Sequence, residues 1–390
     1  LLHDTQDALK KIGAHITTQE ITQQPELWQE TFSIYQENET RIQTFIQTLK
    51  EKHSNLSVIF TGAGTSAYVG EVVEPFVQDF GDTNYFNFRD IATTTLVANP
   101  QHYFKKNVPT VLVSYARSGN SPESVATVEL GQQLVTDFYQ VTITCAKEGE
   151  LAKRSENDPN NLLLLMPERS NDQGFAMTGS FSCMTLMSLL IFDEKHSLAE
   201  KEHFVKQIIS AGNNVLERED EIQALVNLPF NRVIYLGSGS LAGLAREVQL
   251  KILELTAGKV ATLFDSSLGF RHGPKSFVDE EALVFLFVSN NPYTRQYDRD
   301  MIQEIYHDNI ALKAMPISVG QIEKLEGNGF ILAENYQDLP DAYLALPFAI
   351  FGQVVSLLTA IKQDNKPDTP SPTGTVNRVV KGVIIHEYSN

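Results

Sequence analysis

The sequence predicts an α/β protein made of two related halves, each a parallel sheet covered on both faces by helices, with a helical lead-in and a C-terminal tail. Three observations carry that prediction. The plan strand, glycine turn, helix occurs at "LSVIFTGAGTSAYVGEVVEPF" and again at "RVIYLGSGSLAGLAREVQLKILEL". Most of the runs that read as strands are apolar throughout, as strands buried on both faces must be. A chain of 390 residues also exceeds what one ordinary hydrophobic core holds.

Residues 1–50 place apolar side chains at helical spacing and read as the lead-in. Leu9, Ile12, Ile16, Trp28, Phe32, Ile34, Ile42, Phe45 and Leu49 form its inward set. The first half, residues 51–200, opens with a strand at Ser57 to Phe60, then a glycine turn and a helix. A second strand, Thr110 to Ser114, leads through "YARSGNSPES" into a helix over Pro122 to Leu134. "YQVTITC" and "NLLLLM" read as further strands, and "TGSFSCMTLMSLLIF" as the closing helix. The charged helical stretch 193–220 marks the boundary. The second half, residues 215–365, repeats the plan with strands at "RVIYLG", "ALVFLFVS", "LKAMPISV" and "GFILAE" and a long apolar helix, "LALPFAIFGQVVSLLTAIKQ". The tail, 366–390, is proline-rich and then strand-like, and is expected to pair or pack at its end.

Composition excludes several function classes. No uninterrupted apolar stretch reaches the ~18 residues of a membrane span, and residues 1–30 are unlike a signal peptide, so a cytoplasmic protein is expected. Cys145 and Cys183 sit in apolar contexts that suit buried thiols, and no zinc-ligand spacing is present. The formal net charge of -17 argues against nucleic acid or an anionic membrane as partner. An anionic ligand would have to be attracted locally.

Two turns offer such attraction. In an open parallel sheet, ligands bind at the carboxyl ends of strands, where helix N-termini present free N–H groups and the positive dipole end. In "YARSGNSPES", Ser121 reads as an N-cap with Pro122 at the first helical position, and Ser118 and Gly119 lie where a phosphate would meet backbone N–H groups and hydroxyls. "TGAGTSAY" offers Gly62, Gly64, Thr65 and Ser66 in the equivalent place. Each turn alone is equally explained by helix capping; two in one half favour a ligand. "GAGTSAYVG" and "GSGSLAG" miss the dinucleotide spacing and no P-loop is present, so a small phosphate ester fits better than a nucleotide.

Titratable residues gather in the second half. Glu247, Lys251 and Glu254, spaced four and three apart, share one stripe of an otherwise apolar helix. Charges there need a partner or a task, so the stripe is either an internal salt-bridge ladder or a catalytic set. The next segment, "DSSLGFRHGPKSFVDEE", carries His272 in a Gly- and Pro-punctuated loop beside Arg271 and Lys275, a better setting for acid–base chemistry than an apolar face.

"FTGAGTSAYVGE", "SYARSGNSPES", "LAREVQLKILEL", "RHGPKSFVD" and "VNRVVKGVII" together resemble the sugar isomerase (SIS) superfamily, in the branch of tagatose-6-phosphate ketose/aldose isomerases and galactosamine-6-phosphate deaminase/isomerases. The likeness runs from residue 20 to the C-terminus and implies two tandem SIS domains. By similarity to the isomerase half of glucosamine-6-phosphate synthase, Arg117, Ser118, Gly119 and Ser121, supported by Thr65 and Ser66, would bind the substrate phosphate. Lys251 and Glu254 match the K-x-x-E helix motif, His272 the H-G-P histidine, and Lys381 the lysine near the end of the chain. Two positions depart from the synthase: Ala116 replaces a phosphate-binding serine, and His272 lies further from Glu254. The stretch before the SIS halves does not read as a glutaminase domain, so glutamine is not expected as nitrogen donor.

The resemblance therefore implies a deaminase/isomerase that converts galactosamine 6-phosphate into tagatose 6-phosphate and ammonia without metal or organic cofactor. His272 would open the sugar ring, Glu254 would move the C2 proton to C1, and Lys251 would steady the oxygen at C1. Lys381 would either assist imine hydrolysis through a Schiff base or only bind substrate. A homodimer or higher homo-oligomer is implied, because the synthase histidine comes from a neighbouring subunit. A nitrogen-free hexose-phosphate isomerase and a non-catalytic sugar-phosphate sensor remain as alternatives.

Overall fold

The computed structural model describes residues 1–380 and 382–389. The chain divides into two units. The first comprises Glu26–Asp172, Met177–Lys201 and Val376–Asn390, and the second Leu1–Pro25, Gln173–Ala176 and Glu202–Thr375. Each holds one five-stranded sheet.

In the first unit the strands are β1 (Leu56–Thr61), β2 (Phe86–Asp90), β3 (Thr110–Ala116), β4 (Phe138–Thr144) and β5 (Asn161–Leu165), all parallel, in the order β2-β1-β3-β4-β5. Four helices matter here: α1 (Gln24–Lys52), α2 (Thr65–Phe80), α3 (Pro122–Leu134) and α4 (Gly179–Phe192). Central β3 is buried at every position because both of its faces are covered. Ile59 and Leu112 pack with Val128 and Leu130 of α3, and every residue of α4 is buried. Trp28, wholly buried, keeps its indole N–H satisfied by donating to Ser182 Oγ at 2.9 Å.

Residues 1–50 are not one periodic stretch. Helices Gln6–Ile12 and His15–Thr22 precede α1, and Gly13, in the left-handed region at φ 66°, separates them. The helical phase is broken there, so Ile12 and Ile16 face solvent while Leu9, Trp28, Phe32, Ile42 and Leu49 are buried. The tail also differs from expectation: among the described residues it forms no strand, and Val380 and Ile384 are exposed. Its end does pack, with Tyr388 against the α3 cluster and its carbonyl accepting from Gln133 Nε2 at 3.2 Å.

The second unit repeats the topology. Strands β6 (Arg232–Gly237), β7 (Ala261–Ser266), β8 (Ala282–Phe287), β9 (Lys313–Val319) and β10 (Phe330–Leu332), all parallel, take the order β10-β9-β8-β6-β7. Their helices include α5 (Ser240–Leu255), α6 (Pro292–Asp308) and α7 (Asp341–Lys362). By length and composition α7 could cross a membrane, contrary to the sequence reading, but 94% of its apolar window is buried and it packs on α5 as a core helix. Gly352 permits that approach, since a Cβ there would lie 2.4 Å from Val248 Cγ1.

The turns after β1 and β6 coincide in geometry. Gly64 has φ 57° and ψ -130°, and Gly239 has φ 56° and ψ -129°, a conformation open to glycine alone. Gly62 and Gly237 let the following helix come close, because a Cβ would meet Ser66 and Leu241 backbone within 2.6 Å.

A polar cluster fills the carboxyl end of the second sheet. Asp341, at the start of α7, accepts from Ser289 Oγ at 2.5 Å and Asn290 N–H at 2.7 Å. Burial pushes its carboxyl up from 3.8 to about 6, with the nearby Asp298 carboxylate adding to the rise and those hydrogen bonds and Arg295 opposing it. The folded state therefore holds a proton that the unfolded chain releases near pH 4. The associated stability is complete below that pH and is lost as pH rises through 6. Asp341→Asn keeps the group neutral, so its melting temperature relative to the parent is expected to be higher at about pH 7.5 than at about pH 4.5, an effect of order 1–3 kcal/mol. A difference that does not change with pH would contradict it.

Candidate active site

In the first unit, the turn after β3 is held from several sides. Arg117 is 7% exposed, and its guanidinium donates to the carbonyl of Arg378 at 2.5 Å. Arg378 Nε in turn donates to the Asp172 carbonyl at 2.9 Å. Gly119 sits at φ 69°, and its carbonyl accepts from Leu151 N–H at 3.1 Å. Asn120 Oδ1 accepts from Glu150 N–H at 2.9 Å, and Ser118 Oγ from Asn120 N–H at 3.3 Å. Cradled in this way, the Ser118 hydroxyl stands half-buried at the carboxyl end of a central strand.

Ser121 occupies the N-cap position of α3, with φ -60° and ψ 128°, and Pro122 follows at the first helical position. The side-chain cap expected of it is not made: its hydroxyl donates to Glu123 Oε2 at 2.8 Å instead. An acceptor carboxylate two residues away draws the hydroxyl proton and turns the oxygen from the helix N–H groups. Thr65 and Ser66 open α2, also without a side-chain cap, and both are buried; Ser66 Oγ lies 3.9 Å from Met177 Sδ. Sequence reasoning missed Arg378 and Asp172. Asp172, wholly buried, accepts from Thr178, Gly179 and Ser180 N–H groups and caps α4.

In the second unit the charged stripe of α5 is both buried and paired. Lys251 Nζ lies 2.7 Å from Glu254 Oε2 and 3.4 Å from Glu247 Oε1. The Lys251 and Glu247 side chains are 1% and 0% exposed, whereas that of Glu254 is 22% exposed. The ladder expected from the spacing therefore exists, and its outer rung alone reaches solvent. A reachable carboxylate set against a fixed ammonium can accept and return a proton, and the ammonium can steady developing negative charge beside it.

His272 lies on the exposed loop after β7, and among the described residues its ring makes no hydrogen bond. Ion pairs anchor the loop on both sides of it. Arg271 lies 2.6 Å and Lys275 2.5 Å from the Glu304 carboxylate, and Lys275 also lies 2.5 Å from Asp308. The structure thus joins Lys251 with Glu254 and Glu247, but bonds His272 to none of them. Lys381 lies outside the described residues.

Among the described residues no group of His, Cys, Asp and Glu could hold a metal ion. Both cysteines are free and buried, and burial pushes the Cys145 thiol up to about 12.

No family model matches the chain. It is 41% identical over 383 residues to the D-galactosamine-6-phosphate deaminase AgaS of Shewanella sp. (strain ANA-3), covering 98% of this chain and 94% of that one. A crystal structure of tagatose-6-phosphate ketose/aldose isomerase from Escherichia coli superposes with a TM-score of 0.86 at 38% identity, covering 96% of this chain and 97% of the other. A structure from Clostridium novyi NT, provisionally described as the same isomerase, gives 0.93 at 43% identity, covering 100% and 99%. Similarity of this extent on two sheets of one topology shows that the chain belongs to the D-galactosamine-6-phosphate deaminase AgaS family of tandem SIS-domain proteins.

Proposed function

We propose that this chain deaminates galactosamine 6-phosphate, giving tagatose 6-phosphate and ammonia. The observation that carries the proposal is the solvent-reached Glu254 carboxylate held on buried Lys251, in a chain 41% identical to a deaminase of that substrate. His272, exposed on its anchored loop, moves the proton that opens the sugar ring to the free aldehyde. Glu254 takes the proton from C2, leaving an enolate oxygen on C1 that Lys251 steadies. Protonation of that oxygen and return of the proton to C1 give an imine at C2. Water adds there and ammonia leaves. Lys381 is assigned to this last stage by resemblance alone. The chain's own residues supply each proton transfer, so the scheme calls for no cofactor.

The phosphate is assigned to Arg117, Ser118, Gly119 and Ser121 with Thr65 and Ser66, and the excess negative charge of the chain makes this local donor set necessary. A homodimer or larger homo-oligomer is part of the proposal: His272 is exposed and, among the described residues, its ring makes no hydrogen bond, as suits a group that completes a site on another copy.

Ser118→Ala is expected to raise KM for the phosphorylated sugar about tenfold and leave kcat within a few fold, because a hydrogen bond to the phosphate is present equally in ground and transition states. A fall in melting temperature with KM unchanged would assign the turn to stability alone.

A nitrogen-free ketose/aldose isomerase is the second reading, favoured by the name that the Escherichia coli structure bears. Ammonia release measured across galactosamine, glucosamine and N-acetylgalactosamine 6-phosphates, beside turnover of tagatose 6-phosphate, separates the two. The proposal expects galactosamine 6-phosphate to be preferred; turnover of the neutral sugar without ammonia release from any amino sugar would favour the second.

A further inference from the structure

The two sheets share one topology, and in each the chain reverses direction of growth between the first strand and the third: between β1 and β3, and between β6 and β8. Parallel sheets bind ligands at the carboxyl ends of strands beside such a reversal. The first sheet presents hydroxyls there, on the turns after β1 and β3. The second sheet keeps the same turn geometry at Gly239, after β6, and a proline, Pro292, at the start of the helix after β8, as Pro122 stands after β3, but its crevice holds Asp298.

Asp298 is 0% exposed. Its carboxylate accepts from Ser238 Oγ at 2.6 Å, Ser267 Oγ at 2.6 Å and Ser289 N–H at 2.9 Å. Those donors follow β6, β7 and β8, so one anion gathers two hydroxyls and a backbone N–H from three adjacent strand ends. The cations and anions around it are few: Arg295 donates to the Ser289 and Val319 carbonyls, and Asp341 takes the Ser289 hydroxyl. The matching position of the first unit is apolar. Six residues after Pro122 stands Val128, part of the core cluster, and six after Pro292 stands Asp298. A buried carboxylate on the inward stripe of a helix is costly unless a donor set awaits it.

We propose that the second sheet carries a copy of the first sheet's anion site and closes it with its own carboxylate, so that each chain takes up one phosphate, not two. Asp298 is an internal occupant standing where a ligand anion would sit. Shortening it to alanine will open a site for a carboxylate-sized anion. The count of one phosphate rests on the assignment of the Ser118 turn; the opening of the second site does not.

The experiment uses the full chain and formate, the anion that alanine substitution removes. Asp298→Ala is expected to melt well below the parent, and saturating formate to recover about 3–5 °C relative to equal chloride. The parent and Asp298→Asn, whose site stays filled, are expected to show no such difference. An Asp298→Ala protein that is folded yet indifferent to formate overturns the proposal. So does one that fails to refold from urea with or without formate. Equilibrium dialysis of the parent against inorganic phosphate is expected to give one bound per chain, and two would also overturn it. None bound would remove the phosphate assignment of the first turns and leave the formate result to decide the second site.

Discussion

Replacing Glu254 by glutamine is expected to lower kcat for ammonia release by about 10²–10⁴-fold while the protein stays folded. The carboxylate is the one member of the α5 stripe that solvent reaches, at 22% exposure, so a neutral amide of the same shape removes the proposed proton acceptor with little disturbance of packing. KM should change little, since proton transfer contributes only on the way to the transition state. In deuterated water the parent should place deuterium at C1 of the product, and Glu254→Gln should lose that exchange together with turnover. Retention of exchange at the parental rate would move the base to another residue.

Lys251→Met is the second large effect. The ammonium sits between a wholly buried Glu247 and a part-exposed Glu254, so removing it leaves a buried carboxylate without the cation that offset its desolvation. Breaking such a pair costs about 3–5 kcal/mol, and the urea midpoint should fall accordingly. Lys251→Met combined with Glu247→Met should recover most of that stability, because both charges are gone and the volume is kept. Activity should not return with it, since Lys251 is also assigned to the C1 oxygen. A double variant both stable and active would reduce the stripe to a structural ladder.

How far the sequence revealed this arrangement varied with burial. Strands β1, β3, β4, β6 and β8 were legible because helices cover both of their faces, so that they are buried at nearly every position and mostly apolar. Strands β2 and β7 were not. "FNFRD" and "ATLFDS" lie at sheet edges, expose alternate or most positions and carry charge, so no apolar run marks them. The tail misled for the opposite reason: its valines and isoleucines favour a strand, but among the described residues no partner strand receives them.

The site divides in a similar way. The spacing of Glu247, Lys251 and Glu254 was enough to put them on one stripe, and the contacts agree. Ser121 was recognisable as the residue before the helix, but the direction of its hydroxyl depends on Glu123, which no spacing rule weighs. Asp298 left a signal that went unread. It lies three and four residues before Met301 and Ile302, on the buried face of α6, where an acid is out of place unless something holds it. Arg378 and Asp172 gave none, since they serve through backbone carbonyls and helix N–H groups set by the fold.

The most direct test of the proposed reaction follows ammonia and tagatose 6-phosphate together as the purified chain consumes galactosamine 6-phosphate. Equal amounts of the two products, formed at the same rate, are the expected result. Ketose phosphate without ammonia, or a sugar phosphate bound but never turned over, would contradict it.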